Sequence, residues 1–354
     1  MKIVIIGLSI TSSWGNGHAT TYRSLVKALT SLGHSVLFLE FNTPFYAANR
    51  DLPHPSFCEL GVYDSFKSLQ SDFSSNVQNA DLVIVGSYVH DGIQVGEWVQ
   101  RLAQGVVAFY DIDTPVTLAR LKSGNCDYLS PALIPKYDLY LSFSGGPILD
   151  ELEDKWKSPN AKPLYCSVDI DMYYPLSLEK KWLMGYMGTY SPDRQPPLDK
   201  LLIKPAETLP ASKFVVAGPK FPSEVDFPAN VETIEHLPPH RHCEFYNSQR
   251  FTLNLTRSDM IAAGYSPSVR LFEAAACGTP VISDTWNGLD SFFTPNQEIL
   301  LVEDTEDILV YLQDLLPEEA VKIGKNARKK ILKHHTSQIR ASELVLYTKE
   351  IINR

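Results

Sequence analysis

Apolar residues in this chain fall into two alternating patterns. The continuous runs KIVIIG (2–7), SVLFLE (35–40), ADLVIVGS (80–87), GVVAFYDID (105–113) and YDLYLSFSGG (137–146) carry no polar alternation, so they predict parallel strands buried on both faces. Residues 19–32 switch to helical spacing, with Tyr22, Leu25, Val26 and Leu29 on one side and Gly33 where a left-handed cap is wanted. The β-then-α rhythm predicts a doubly wound parallel sheet that closes near 166–171.

The pattern lapses over DIDMYYPLSLEK (169–180), which predicts a linker, and then restarts. WLMGYMGT (182–189), KFVVAGP (213–219), RFTLNLT (250–256) and TPVISD (279–284) read as strands, while 267–276 and the stretches after Glu306 and Glu318 read as helices. From Ser337 to Asn353, Ile339, Leu344, Val345, Tyr347 and Ile351 share roughly one side of a final helix. The expected division is a first lobe over 1–168, a linker over 169–180, a second lobe over 181–336 and a closing helix over 337–354. A length of 354 residues suits two cores better than one.

Composition changes this picture little. Hydrophobic residues at 44% and charged residues at 21% exclude disorder, and no apolar stretch approaches the length of a membrane span. A net charge of -9 argues against nucleic acid or an anionic membrane as the main partner. KIGKNARKKILKHH (322–335) concentrates positive charge locally, which fits a solvated helix face better than a weak peripheral membrane contact. Five scattered cysteines without a C-x-x-C pair suggest a reducing compartment, the cytoplasm. The sequon Asn254-Leu-Thr falls within an expected buried strand and is discounted.

The densest candidate chemistry lies in GYSPSVRLFEAAACGTPVISD (264–284). A glycine-bearing loop there leads into a helix whose first amides lack partners, an arrangement suited to phosphate. Ser266 and Ser268 suit a cap, and Glu273 would lie within the helix, able to accept from a ribose diol or simply facing solvent. At other expected strand ends lie Gly188, Thr189 and Arg194 in GTYSPDR, Gly218 and Lys220 in AGPK, and Arg257; Arg270 opens the helix itself. In the first lobe, SSWGNGHATTYR brings Gly15, Gly17 and His18 into a helix start. A dinucleotide loop fails there for want of its third glycine, leaving an acceptor loop or a plain turn. Asp111 and Asp113 follow the strand AFYDID and suit a base, an acceptor-orienting pair, a cation site or a helix cap.

The 264–284 segment resembles the donor-site motif of GT-B glycosyltransferases, in particular the CgeB-like family. WGNGHATTYRSLVKAL, AFYDIDTPVTLARL, YLSFSGGP, LYCSVD, YMGTYSPDRQPPLDKLL, LNLTRSDM and ISDTWNGLDSFFTPNQEILL extend the similarity along nearly the whole chain. The resemblance implies an α/β GT-B fold of two facing Rossmann-like lobes, with the last helix crossing back to the first. It implies a sugar transferase taking a nucleotide diphosphate sugar, without metal or cofactor, to a protein, glycan or small-molecule acceptor. Glu273 matches the second glutamate of the E-x7-E pair, which holds ribose; Tyr265 stands where the first, sugar-side glutamate belongs. The amides from Ser266 to Val269 would cradle the sugar and distal phosphate, and Arg194, then Lys220, Arg257 and Arg270, would meet the diphosphate. His18 ranks ahead of Asp111 and Asp113 as the base. A non-catalytic nucleotide-sugar binder and a nucleotide-sugar 2-epimerase are the rival readings.

Overall fold

Seven parallel strands build the first sheet of the computed structural model, which describes residues 1–354. They are β1 (Lys2–Gly7), β2 (Ser35–Phe41), β3 (Glu59–Tyr63), β4 (Leu82–Gly86), β5 (Val106–Asp111), β6 (Leu139–Ser142) and β7 (Ala161–Pro163), in the order β3-β2-β1-β4-β5-β6-β7. The unbroken apolar runs have the cause inferred from them: in β4 and β5 every residue is buried, because helices cover both faces. Chain order reverses between β1 and β4, and their ends are glycines for a steric reason. A Cβ on Gly86 would stand 2.0 Å from the hydroxyl of Tyr22, which the helix Gly17–Ser31 lays over the sheet.

The second sheet repeats the plan with β8 (Trp182–Met187), β9 (Phe214–Ala217), β10 (Val231–Ile234), β11 (Gln249–Asn254), β12 (Val281–Ser283) and β13 (Leu300–Leu301), ordered β10-β9-β8-β11-β12-β13 and again all parallel. Its core joins Met184, Tyr186, Phe214, Phe251 and Leu253 to Leu201 and Leu202 and to Ile308. Truncating any such leucine to alanine costs about 2–5 kcal/mol. Here the order reverses between β8 and β11.

The chain divides into two units, Met1–Tyr165 with Ser337–Arg354, and Cys166–Thr336. Residues 169–180, expected as a linker, are packed into the second unit. Tyr173 is buried, the Leu176 amide donates to Asn247 Oδ1 at 2.8 Å, and Lys180 Nζ donates to the Asn247 carbonyl at 2.8 Å. Backbone-to-side-chain bonds hold this segment, which is why it shows no periodicity.

The final helix, Ser337–Ile352, packs within the first unit against Gly17–Ser31. Its buried face is Ser337, Arg340, Ala341, Leu344 and Thr348, which corrects the apolar side drawn from Ile339, Val345, Tyr347 and Ile351. Polar Arg340 tolerates burial because it lies 5.7 Å over the Tyr165 ring and donates to Glu343 at 2.6 Å. The basic stretch lies on the helix Pro317–His334, with Ala320, Ile323, Ala327 and Ile331 buried and Lys322, Lys325, Lys329 and Lys333 exposed. No helix is long and apolar enough to cross a membrane.

Candidate functional site

In doubly wound sheets, ligands bind beyond the carboxyl ends of the strands where strand order reverses. In the second unit that place lies past β8 and β11, and three arginines converge on it. Arg194, just beyond β8, is anchored by Nε to Ser191 Oγ at 2.9 Å and by Nη2 to the Thr189 carbonyl at 2.5 Å. Burial pulls its pKa below the usual arginine value, and the positive charges of Arg270 and Arg257 add to that. Tyr186 and Asp193 oppose the shift without reversing it.

Arg270, in the first turn of the helix Val269–Ala276, is only 8% exposed. Its Nη1 donates to Asn254 Oδ1 at 3.0 Å, and its guanidinium lies 5.1 Å from the Tyr186 ring centre. Its Nε is buried without a hydrogen-bond partner. Asp284 supplies nearby negative charge, though burial pushes that carboxyl upward and its oxygens already accept from the Thr256 amide and hydroxyl, each at 2.7 Å. Asp193 accepts from the Ser258 amide at 2.9 Å and so ties the loop after β8 to the loop bearing Arg257.

The glycines here serve close approach. A Cβ on Gly188 would lie 2.8 Å from Arg270 Nη2, and one on Gly218 would lie 1.9 Å from the Gly188 carbonyl oxygen. Lys220 is exposed, with φ 70°, and no ion pair draws it into the arginine cluster. Ser266 is buried and its hydroxyl donates to the Gly264 carbonyl at 2.9 Å. Ser268 occupies the N-cap without a side-chain capping bond, so no side chain from the cap covers the first amides of Val269–Ala276. Tyr265 takes φ 47°, its amide donates to the Asn287 carbonyl at 2.7 Å, and its ring covers Gly288.

Glu273 departs from the expectation of an open carboxylate. It is 3% exposed, its Oε2 accepts from the Tyr246 hydroxyl at 3.0 Å, and Tyr173, whose hydroxyl pairs with His242 Nδ1 at 3.1 Å, lies close enough to feel its charge. Burial and the adjoining Glu273 charge push both phenols well above the usual tyrosine range, so they remain donors. Neither tyrosine was singled out in the sequence, because both reach Glu273 from outside the motif.

In the first unit, the loop after β1 is held from three sides. Buried Glu40, on β2, accepts from the amides of Ile10 and Thr11 at 2.7 and 3.0 Å. Arg23 donates to the Ile10 carbonyl and grips Asp51 through two bonds of 2.8 and 2.9 Å. Against the upward push of burial, Arg23 and the Ser13 donors hold the Asp51 carboxyl at about 2. The Asn16 side chain caps the next helix through the His18 amide.

The His18 ring comes 5.4 Å from the ring of Tyr88, whose hydroxyl donates to Asp113 Oδ2 at 3.0 Å. Tyr88, at φ 62° in the loop after β4, was missed in the sequence; its only signal is its place at the strand-order reversal. Asp113 sits at the N-cap of Thr114–Ser123, but its carboxylate makes no capping bond.

Asp111 is a correction. It is fully buried, accepting from Tyr140 at 2.6 Å and Thr117 at 2.7 Å, and burial pushes its pKa up to about 6. It pins β5 to β6 and to the following helix, with both carboxylate oxygens turned to interior partners rather than to an open site. Asp113 lies past the end of β5, at the start of the next helix, and its carboxylate accepts from Tyr88 while that of Asp111 accepts from Tyr140 and Thr117, so the two carboxylates are held by different partners.

Residues 194–345 match the profile of a family described as glycosyl transferase-like, a span that begins at Arg194 and takes in Arg257, Arg270 and Glu273. No curated protein is a significant sequence match. Among solved structures, sucrose-phosphate synthase from Thermosynechococcus elongatus superposes with a TM-score of 0.72 at 16% identity, covering 100% of this chain and 99% of that one. Anabaena HepE, in complex with UDP and glucose, gives 0.74 at 13%, with coverage of 99% and 100%. An alpha-glucosyltransferase in complex with UDP-glucose and abasic DNA gives 0.75 at 15%, with 99% of each chain covered. The fold is that of the GT-B glycosyltransferases. Within that GT-B frame, the arginine cluster follows the strand-order reversal of the second unit, and the His18–Tyr88–Asp113 group follows that of the first.

Proposed function

We propose that this protein transfers a sugar from a nucleoside diphosphate sugar to a hydroxyl-bearing acceptor. The observation that carries this reading is the crowding of Arg194, Arg257 and Arg270, one of them with a buried, unpaired Nε. Like charges held together are unfavourable until an anion joins them, and a diphosphate supplies both the charge and planar oxygen acceptors. The same cations stabilise the charge that grows on the leaving diphosphate as the glycosidic bond breaks. The amides of Ser266 to Val269 suit the distal phosphate, with Gly188, Thr189, Gly218 and Lys220 at the neighbouring strand ends. Glu273 orders the helix that carries Arg270, and its remaining oxygen suits a ribose hydroxyl.

On the first unit, His18 is the base that receives the acceptor proton, and Asp113 acts through Tyr88 to position it. Metal is not required in this scheme, and five free thiols suit the cytoplasm. UDP is the first probe because one structural neighbour holds UDP with glucose and another holds UDP-glucose. Calorimetry should detect binding by UDP, GDP, dTDP or ADP; silence from all four at millimolar concentration would falsify the proposal. Tyr265 in the sugar-side glutamate position favours one rival, a binder without turnover. Single-turnover incubation with the bound donor separates the two, since a binder saturates and releases no product.

A further inference from the structure

Cys277 closes the helix Val269–Ala276, and Cys243 lies in the neighbouring helix His242–Asn247. Both thiols are free and buried, and their sulfurs stand 4.0 Å apart, with Cys277 donating to Cys243. Asn247 Nδ2 approaches Cys243 Sγ at 3.6 Å as a second donor. We propose that Cys243 and Cys277 form a reversible disulfide on exposure to a peroxide, whatever reaction the protein catalyses.

The two sulfurs are chemically unequal. The Cys277 donor, against the push of burial, brings the Cys243 thiol down to about 6, whereas burial and the Cys243 contact push Cys277 well above the usual thiol range. Cys243 is therefore the sulfur that ionises more readily and attacks, while Cys277 keeps its proton. The thiolate attacks one peroxide oxygen and the O–O bond breaks; the departing hydroxide takes a proton and leaves as water, so Cys243 becomes a sulfenic acid. Cys277 sulfur then attacks Cys243 sulfur, displacing hydroxide, which takes the Cys277 proton and leaves as a second water. Two thiols have lost two electrons, and the peroxide has gained them.

A disulfide needs its sulfurs about 2 Å closer than they stand, a shift within reach of side-chain rotation. The bond would join the helix bearing Tyr246 to the helix bearing its partner Glu273 and the site arginine Arg270. The half-buried thiols of Cys58 and Cys126 are poor competitors, since burial raises both.

The test treats the full-length reduced protein with hydrogen peroxide and maps its peptides. The expected product is lighter by two hydrogens, retains three of the five thiols, contains a 243–277 cross-link and returns to the reduced mass with dithiothreitol. In Cys277→Ser, dimedone should trap a sulfenic acid at Cys243, and in Cys243→Ser no label should appear at Cys277. A cross-link between other cysteines, or a wild-type protein that accumulates only sulfinic acid at Cys243, overturns the proposal.

Discussion

Arg270 donates from Nη1 to the side-chain oxygen of Asn254 at 3.0 Å, and that bond sets the direction of the guanidinium. Asn254 is held in turn by Thr256 and Ser283, so the last residue of β11 orients the first turn of a helix 16 positions away. The same burial removes the Asn254 sequon from any glycosylation machinery.

Arg270→Lys keeps the charge but loses the planar fork, and Asn254→Ala releases the fork from its partner. Each should weaken UDP binding about tenfold or more, near 1.4 kcal/mol, measured by calorimetry. Unchanged affinity in both variants would remove Arg270 from the site.

Tyr246→Phe deletes the donor to Glu273 in the interior. A loss of about 1–3 kcal/mol in urea unfolding is expected, because a buried carboxylate oxygen is left without that partner. A neutral result would mean that water or Tyr173 replaces the bond.

His18→Ala and Tyr88→Phe act on the first unit only. Both should leave UDP affinity intact while turnover falls, by about 100-fold or more for His18 and by less for Tyr88→Phe, which keeps the ring beside His18 and loses only the bond to Asp113. Equal losses of binding and turnover would contradict the division of labour.

Asp111 should imprint a pH dependence on stability. Its folded pKa of about 6 exceeds the reference value of 3.8, so the folded state holds the proton more tightly. Stability therefore falls as pH rises from near 4 to near 6, by up to roughly 3 kcal/mol. Asp51 does not offset this: held at about 2, its contribution is complete above 3.8 and is lost only as pH falls toward 2. Asp111→Asn should flatten the wild-type slope in denaturation curves taken between about pH 4 and pH 7; parallel slopes would refute the assignment.

The doubly wound plan was legible because strands buried on both faces, such as LVIVG and VVAFYD, need unbroken apolar runs. β10, whose burial is partial, left no such run, and β13 pairs over only two residues of the short apolar run 299–302, too brief to stand out as a strand. The final helix was legible as a helix but not in its orientation, since Arg340 and Thr348 are buried through ring and backbone contacts that hydropathy does not weigh.

The sequence by itself determined the alternation of strands and helices, the glycine-marked strand ends and the arginines beyond them, because these follow from local periodicity and short-range sterics. Tertiary structure alone decided which of those groups meet. Asp111 became an interior anchor, Glu273 acquired a phenol donor in Tyr246, Tyr88 joined His18 to Asp113, and two cysteines distant in sequence came within 4.0 Å. Burial and partnership depend on residues far apart along the chain, and these set the charge, direction and reactivity of a side chain.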